Sequence, residues 1–469
     1  MNWLKWITHA RKLITFFRKN YEHIKSIALT LLIVLSLVLT WSLWTFKPSY
    51  PSLEGARIVK KQEVDVEAEL KEIVYPTQLI YHKGDSLYGV EANDLINEFN
   101  MRLNETKFTF DTGTKNNRSF DPDETFIKDN KYIEVVFPVG MTQDIYKEIF
   151  SFESEITGSK PKYVDRIFLY QNKSTDSVEG YLVSYQEKKM QRIRASNNQL
   201  NPIMKEMDKW IDNGSFVPYM NFDIEERGNE GQVDVKRRFY FPEVPLDLTR
   251  YTYISRATSE DTYEMYKKAL FKDPLAVKSA SAPNQITYAD GTAAMVINEL
   301  QNRFTYTNFA GFGNRNTPSS ISPLLQSIDY INTHAGWGNP YIVSNLTNYT
   351  ANFWLFIENL PVLNQEMQMS LIWYENELQE YQRSLIQLDL SAASYPDLLT
   401  EKVTIQSGKD VTTELEKEFN LNYVQDVRIG FTMKKQNEPH VYKLEPQWFI
   451  NYDTKGWQPL FKEDREEGF

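Results

Sequence analysis

A chain of 469 residues can form two or three domains with separate cores, and its 41% hydrophobic and 14% aromatic content indicates a folded protein. Cysteine is absent, which excludes disulfides, thiolate metal ligands and a cysteine nucleophile. Residues 1–25 hold six Lys/Arg and one acid, whereas the remainder holds 46 basic and 62 acidic residues, a net charge of −16. A body this acidic repels phosphate backbones, so nucleic-acid binding is not expected.

The first predicted element is a cytoplasmic basic amphipathic segment over residues 1–20. Its apolar residues recur at spacings of three and four, with basic residues mostly between them: Trp3, Trp6, Ile7, Ala10, Leu13, Ile14 and Phe17. This pattern is typical of a helix that lies on the inner membrane surface. The alternative is an over-long gene start without a functional role.

A transmembrane helix is predicted over residues 24–46. The 21 residues from Ser26 to Phe46 are uncharged, enough to cross the roughly 30 Å hydrocarbon core of a bilayer. Basic residues precede the run and Trp41 and Trp44 lie near its far end, which predicts a cytoplasmic N-terminus and an extracellular body. Bulky residues follow where a signal peptidase needs small ones, so the segment is expected to remain as an anchor.

Polar residues of this span fall on one face. At 100° per residue, an arc of about 120° contains the predicted transmembrane partner face: Ser26, Thr30, Ile33, Ser36, Leu37, Thr40 and Trp44. Small and hydroxyl residues allow a neighbouring helix to approach closely and to share hydrogen bonds. The alternative is that each hydroxyl bonds to the carbonyl four residues earlier in its own helix.

The extracellular part alternates short helices with short strands, which predicts an α+β architecture. Composition divides it into three domains, an N-terminal domain over 48–214, a central one over 215–315 and a C-terminal one over 316–469. The last boundary is drawn at the run AGFGNRNTPSS, residues 310–320, which is rich in Gly, Asn, Pro and Ser.

In the N-terminal domain, SLYGVEANDLINEFNMRL is predicted as a helix, and KYIEVVFPV, RIFLYQ and GYLVSYQ are predicted as strands. The segment NPIMKEMDKWIDNG predicts a helix with Asn201 as its cap, Pro202 in its first turn and Gly214 at its end. In the central domain, NQITYADGTAAMVI predicts a hairpin with a type I′ turn at Asp290-Gly291.

The C-terminal domain is predicted to begin with a helix near Leu324–Thr333. Strands are predicted around Phe353–Glu358, Met369–Tyr374 and Leu385–Leu390, and a helix at DVTTELEKEFN, with Asp410 as its cap. VRIGFTMK alternates apolar and polar residues and HVYKLEPQWFINY returns antiparallel to it, with Pro446 indicating an edge position or a strand break.

Motifs that carry chemistry are scarce. The five histidines are dispersed without metal-ligand spacing, and no nucleophile elbow or dinucleotide fingerprint stands out. The loop THAGWGNPY, Thr333–Tyr341, pairs a histidine with two glycines, which is read either as a turn with a satisfied imidazole or as a catalytic loop. We therefore expect no catalytic residues, no cofactor, no metal and no small-molecule substrate.

Aromatic residues cluster near the C-terminus, at Trp448, Phe449, Tyr452 and Trp457. Most are expected in the core. Because alternate residues of a strand face opposite sides, Trp448 and Phe449 cannot both point inward. One of them is expected on the outer face, under a partner or another domain, so the cluster is a candidate extracellular contact.

The span and the last hairpin resemble the YycH (WalH) family. The likeness lies in I-K-S before the span, T-W-x-x-W-T-x-x-P-x-Y after it, and L-E-P-x-W-F within IGFTMKKQNEPHVYKLEPQWFINY. It extends from about Tyr21 to the end, and residues 1–20 depart from the family pattern. The resemblance implies a single-span accessory protein of the WalK/WalR (YycG/YycF) two-component system of low-GC Gram-positive bacteria, acting on cell-wall homeostasis.

The resemblance also implies partners and organisation. They are the sensor histidine kinase WalK, a related single-span protein of the YycI type and the membrane, with the last two of three exterior domains similar to those of YycI. The leading hypothesis is a non-enzymatic regulator that acts through its transmembrane helix and exterior domains. The alternatives are a membrane-anchored cell-envelope enzyme, which predicts a pocket with carboxyls of perturbed pKa, and an exported assembly factor.

Overall fold

The computed structural model describes residues 21–45, 67–91, 94–110, 117–119, 131–153, 161–227, 233–310, 317–390 and 400–463. The predicted amphipathic segment 1–20 lies outside these ranges. The chain divides into two units, Met1–Gln62 and Glu63–Phe469, and each is considered by itself. The second unit, here called the body, carries all three of the described sheets.

The first unit contains one described helix, α1, which runs from Tyr21 to Thr45. Several of its side chains, including that of Trp44, lie outside the described part of the structure. No helix within the described residues is long and apolar enough to cross a membrane.

The N-terminal sheet of the body is built from eleven described strands, antiparallel except where β3 and β6 pair. The strands are β1 (Gln78–Lys83), β2 (Ser86–Val90), β3 (Lys107–Phe110), β4 (Asn117–Ser119), β5 (Tyr132–Thr142), β6 (Ser151–Phe152), β7 (Tyr163–Asn172), β8 (Ser177–Ser184), β9 (Lys189–Ala195), β10 (Val217–Arg227) and β11 (Val233–Pro242). Their order is β11-β10-β2-β1-β5-β7-β8-β9-β3-β6, with β4 beside β9. The helices of this region are α2 (Leu70–Ile73), α3 (Asp94–Asn104), α4 (Gln143–Ile149) and α5 (Asn201–Asp212).

The chain then passes through β12 (Leu246–Ile254) and helix α6 (Glu260–Leu270) into a middle sheet with α7 (Pro323–Thr333) packed on it. The strands of the middle sheet are β13 (Lys278–Ala282), β14 (Gln285–Ala289), β15 (Ala293–Asn298), β16 (Arg303–Asn308), β17 (Tyr341–Leu346), β18 (Thr350–Ile357), β19 (Leu360–Pro361), β20 (Met369–Tyr374) and β21 (Glu377–Ser384). Their order is β13-β14-β15-β16-β21-β20-β18-β17, with β19 beside β18.

The C-terminal sheet combines β12 with strands that follow the middle sheet, in the order β22-β12-β24-β23. These strands are β22 (Thr400–Ile405), β23 (Val424–Lys435), β24 (Val441–Tyr452) and β25 (Trp457–Pro459), the last paired with β24. Helix α8 (Gly408–Glu418) belongs to this part of the chain but packs against β10 and β11 of the N-terminal sheet.

Three sheets and short helices confirm the predicted α+β class. The residues at which the sheets begin and end differ from the predicted domain boundaries. Residue 215 lies just before β10, yet β10 and β11 complete the N-terminal sheet. The boundary between 315 and 316 falls inside the middle sheet, because β16 pairs with β21. The Gly- and Asn-rich run therefore lies between strands of one sheet, and the C-terminal sheet is discontinuous in sequence.

Where local chemistry specifies an element, the prediction is confirmed. Helix α5 buries Ile203, Met207 and Trp210 along one face, and Gly214 follows it at φ +77°, a conformation that glycine adopts without steric cost. Asn201 is nevertheless its first helical residue, not its cap. Helix α8 is capped by Ser407 and not by the predicted Asp410, which lies in its first turn. Ser407 Oγ accepts from Asp410 N, and the Asp410 carboxylate accepts in return from Ser407 N (3.0 Å).

Three local predictions are wrong in detail. Residues 86–90 form β2, because their backbone pairs with β1 across a tight turn, so helix α3 begins only at Asp94. Residues 385–390 continue past the end of β21 and make only an isolated bridge, Leu388 to Ser255. At the 290–292 turn, Gly291 has a positive φ (+89°) but Asp290 does not, so the turn is not of type I′. The carboxylate of Asp290 accepts from the amides of Thr292 and Ala293.

Pro446 shows how a proline can occupy an inner strand. It lies in β24, which has β23 on one side along its length. On the other side, β12 pairs with β24 as far as Leu444, and β25 pairs with it from Phe449 onward. Pro446 therefore lies between the part of β24 that pairs with β12 and the part that pairs with β25. At this position its missing N–H removes no hydrogen bond between strands.

Candidate functional site

The predicted partner face of α1 has described side chains at six of its seven positions, all of them exposed. Thr30 Oγ1 donates to Ser26 O and Thr40 Oγ1 donates to Ser36 O, each at 2.8 Å. These are the intrahelical bonds that the alternative interpretation requires. A hydroxyl bonded in this way still has lone pairs available to a second helix, so the partner face stays a prediction.

The predicted C-terminal contact begins at two adjacent residues of β24 that point to opposite faces of the sheet. Trp448 is buried in the main core, donates from Nε1 to Gln406 O (2.9 Å) and meets Phe241 edge-on. Phe449 is buried on the other face, in a cluster that includes Trp354 and Leu363. Both side chains are therefore covered by other parts of this chain.

The other two members of the predicted contact are partly exposed. Tyr452 packs edge-on against Phe419, and Trp457 packs edge-on against Trp354 with ring centroids 5.3 Å apart. Any contact with a partner protein at this cluster would use the accessible edges of Tyr452 and Trp457, and it stays a prediction.

A polar cavity of about 890 Å³ lies between the N-terminal sheet and the C-terminal part of the body. One wall is formed by β5, β7 and β11, and the other by residues 359–361 and 425–429. On β5, the register slips between Val136 and Met141, so the intervening residues leave the ladder with β7 and line the cavity. A volume of this size falls in the range of small-molecule sites.

Beside this cavity, Glu134 is fully buried at the centre of a hydrogen-bonded network. Its carboxylate accepts from Tyr240 Oη (2.7 Å), His82 Nε2 (3.1 Å) and Arg166 Nε (3.1 Å). Burial alone would raise the pKa of Glu134, but the hydrogen bond and charge of His82, with Arg166 and Tyr240, outweigh it and lower the pKa. The group is therefore held ionised and positions Arg166.

Arg166 connects this network to the cavity wall. Its guanidinium also bonds Asp165 (3.3 Å) and lies over the ring of Tyr185, 5.3 Å from the centroid. The Asp165 carboxylate accepts from Tyr185 N at 3.1 Å. Burial raises the pKa of Asp165, although Arg166 and the backbone donors oppose the shift.

Glu91 faces the cavity at the end of β2. Gln78 Nε2 donates to its carboxyl group and also to Tyr240 O, at 3.1 Å. Burial raises the pKa of Glu91 to about 7, against the opposing effects of Gln78 and Arg428. This carboxyl therefore changes charge near neutral pH, unlike Glu134.

The loop Thr333–Tyr341 has a structural explanation. The His334 ring stacks on Tyr330 with centroids 3.8 Å apart, and its Nδ1 lies 2.8 Å from Tyr330 O. Burial lowers the pKa of His334. Arg383, which is buried, donates to Gly336 O (2.5 Å) and Trp337 O (2.6 Å), so the loop is fixed from within the middle sheet. These contacts match the interpretation as a turn with a satisfied imidazole.

Among the described residues, no group of three or more His, Asp or Glu side chains is placed to hold a metal ion. The cavity itself was not predicted from the sequence. Its charged residues come from strands distant along the chain, and Arg428 is one of the polar positions of the alternating segment VRIGFTMK. The feature of the sequence that could have indicated the cavity was a charged residue at an alternating position of the strand. Charged residues are equally common on strand faces that are exposed to solvent.

Comparison with known proteins gives the family. A model described as the YycH protein N-terminal domain matches residues 22–211, and one described as the YycH protein C-terminal domain matches residues 236–464. The chain belongs to the YycH family. Residues 212–235, between the two matched segments, include β10 and the start of β11.

A curated relative within the YycH family is the two-component system WalR/WalK regulatory protein YycH of Bacillus subtilis. It is 23% identical over 464 residues, which cover 92% of this chain and 95% of the relative. The crystal structure of YycH from Bacillus subtilis has a similar fold, with a TM-score of 0.68 and 18% identity over 85% of this chain and 99% of that one. The chain is thus homologous to a regulatory protein of a two-component system.

Proposed function

We propose that this chain is a membrane-anchored, non-enzymatic regulator of the sensor histidine kinase WalK in cell-wall homeostasis. The observation that carries the proposal is the match along nearly the full length of both chains to a protein described as a WalR/WalK regulator. Because the match covers 95% of that relative, this chain has the counterpart of almost every part of it.

The anchor is residues 24–46, with the N-terminus in the cytoplasm and the body outside the cell. Support comes from the 21 uncharged residues between Lys25 and Lys47 and from the basic residues before them. The described leucines of α1 are exposed, for example Leu31 (64%) and Leu37 (64%), as expected of a helix that meets lipid or another apolar helix.

The regulatory surface within the membrane is the hydroxyl-bearing face of α1, from Ser26 to Trp44. It packs on kinase helices and favours one of two kinase packings. Its effect is limited by the difference between its affinities for the two kinase states. The back-bonds of Thr30 and Thr40 satisfy the hydroxyl protons within α1, which leaves a surface that presents oxygen acceptors.

Outside the membrane, the body binds a YycI-like single-span protein and the exterior domain of the kinase. The exposed edges of Tyr452 and Trp457 are the candidate contact, since Trp448 and Phe449 are buried within the chain. Aromatic side chains that are only partly covered in a monomer are common anchors of protein interfaces.

Co-purification tests the partnership. The tagged full-length chain is isolated from membranes in mild detergent, with the native span or with an unrelated leucine-alanine span of equal length, and WalK and the YycI-like protein are quantified. We expect both partners with the native span and at least tenfold less WalK with the replacement. Absence of WalK from the native preparation would contradict the proposed partnership.

The cavity gives the enzyme alternative one specific observation, because Glu91 and Asp165 both line it and both have a raised pKa. Asp165 is bonded to Arg166 and to Tyr185 N, which leaves Glu91 as the available acid. The test is the kinase's target-gene output in cells carrying Glu91→Gln. If the protein regulates without catalysis, target-gene output stays at the wild-type level. If it is a cell-envelope enzyme that depends on Glu91, target-gene output changes to the level seen without the protein.

A further inference from the structure

Arg428 on β23 carries an incompletely bonded guanidinium in the wall of the cavity. Its Nη2 donates to Asp426, while Nε and Nη1 are buried without a hydrogen-bond partner in the described structure. A buried N–H group of a charged side chain destabilises the fold when it is left unbonded. An acceptor supplied from the cavity would remove that cost at both nitrogens.

Two tryptophans hold this guanidinium in position. Its carbon lies 4.9 Å from the ring centroid of Trp354 and 5.3 Å from that of Trp457. The two rings are themselves packed edge-on. Arg428 is therefore fixed before any ligand arrives, which reduces the entropy lost on binding.

The charge of the cavity is opposite to that of the whole chain. Among the described lining residues, six are basic and three are acidic, whereas the chain carries a net charge of −11. The basic residues are Arg166, Lys188, Lys236, Arg237, Arg238 and Arg428, and the acidic ones are Glu91, Asp165 and Asp426. A concave site with an excess of one sign concentrates small ions of the other sign.

The acidic residues offset part of this excess. Asp165 is bonded to Arg166 and to Tyr185 N, so it is engaged on the N-terminal wall. Asp426 accepts from Arg428 Nη2 and also from Val427 N (2.8 Å). The raised pKa of Glu91, about 7, means that this carboxyl is largely uncharged on the acid side of neutrality.

We propose that this cavity binds the oxyanion of a small ligand, a carboxylate or a phosphate, with Arg428 as the principal donor. The wall beside Arg428 includes Leu360 and Pro361, and the opposite wall includes Phe137 and Pro138, so the remainder of the ligand meets mixed polar and apolar surface. A ligand bound there touches the N-terminal sheet and β23 together. The proposal goes beyond the regulation of WalK and does not depend on it.

The test uses the full-length chain in detergent micelles, labelled with 5-fluorotryptophan. Inorganic phosphate and succinate are titrated separately at constant ionic strength, and ¹⁹F resonances of Trp354 and Trp457 are assigned with Trp354→Phe and Trp457→Phe. Because both indoles lie about 5 Å from Arg428, binding there should shift their resonances with a saturable dependence. The comparison of phosphate with succinate identifies which oxyanion is preferred.

Arg428→Gln should weaken binding at least tenfold, and Arg428→Lys, which keeps the charge but loses the planar donors, should weaken it less. The matched control is Arg250→Gln, on β12 of the same sheet, which bonds Glu401 and Glu445 outside the cavity and should leave binding unchanged. Unperturbed resonances of the remaining fluorotryptophans show that a variant is folded, and Arg428→Lys serves if Arg428→Gln does not fold.

Two results would overturn the proposal. One is the absence of a saturable shift with either anion up to about 50 mM, well above a millimolar dissociation constant. The other is equal affinity in wild type and in the folded Arg428 variants, which would mean that the anions bind elsewhere or that water alone satisfies Nε and Nη1.

Discussion

Replacing Glu91 with glutamine should change how the stability of the body depends on pH. Burial raises the pKa of this carboxyl from 4.5 to about 7, so the folded protein keeps its proton at pH values where the unfolded chain has lost it. The wild type therefore loses stability as pH rises from about 4.5 to about 7. Glutamine imitates the protonated acid, can still accept from Gln78, and does not titrate.

The magnitude follows from the pKa of Glu91 in the folded and unfolded chain. A tenfold difference in proton affinity corresponds to about 1.4 kcal/mol, so the full transition changes the free energy of unfolding by about 3 kcal/mol. At roughly pH 5.5 the wild type has already lost about 1 kcal/mol of this stability, and at roughly pH 8.5 it has lost nearly the full 3 kcal/mol or so. The stability advantage of E91Q over wild type should therefore widen by about 2 kcal/mol between these two pH values.

Urea unfolding of the full-length chain in micelles, followed by tryptophan fluorescence at both pH values, measures this difference. Glu438→Gln, in an exposed turn, is the control and should leave the pH dependence unchanged. An advantage of E91Q that stays constant with pH to within about 0.5 kcal/mol would refute the assigned environment of Glu91.

Two further substitutions test the packing around the cavity. Glu134→Gln should cost about 3 kcal/mol at neutral pH, because it leaves the largely buried guanidinium of Arg166 with Asp165 as its remaining counter-charge. Since the pKa of Glu134 is lowered in the fold, this loss should shrink as acid protonates the wild-type carboxylate, and a loss that grows in acid would contradict the network. Phe449→Ala should cost about 3–5 kcal/mol in thermal or urea unfolding, because it empties the cluster between the middle and C-terminal sheets. Leu300→Ala, at a side chain 75% exposed, should change stability by less than about 0.5 kcal/mol, and equal losses in the two variants would argue against that cluster.

The elements that could be predicted from the sequence are those defined by nearby residues. Helix α5 combines an early proline, an apolar stripe and a closing glycine, all within fourteen consecutive residues, 201–214. The hairpin β23–β24 follows from the alternation of VRIGFTMK, the turn after it and the antiparallel return of HVYKLEPQWFINY. In each case, the local pattern and the tertiary packing favour the same conformation.

What the sequence did not reveal depends on pairing between distant segments. Strand β12 pairs with β22 and β24, although the whole middle sheet intervenes in the chain. No local sequence pattern indicates such pairing. The boundary that composition places at 316 therefore divides a continuous sheet. The cavity has the same origin, because Arg166 and Arg428 line one space only after the sheets have packed.

The central claim is that residues 26–46 act on the kinase and do more than anchor the body. The most direct test replaces them with a leucine-alanine span of equal length, confirms membrane localisation and expression level, and measures transcription of WalR-dependent genes. The account predicts the same output as deletion of the whole chain. Output equal to that of the native protein would contradict the transmembrane mechanism.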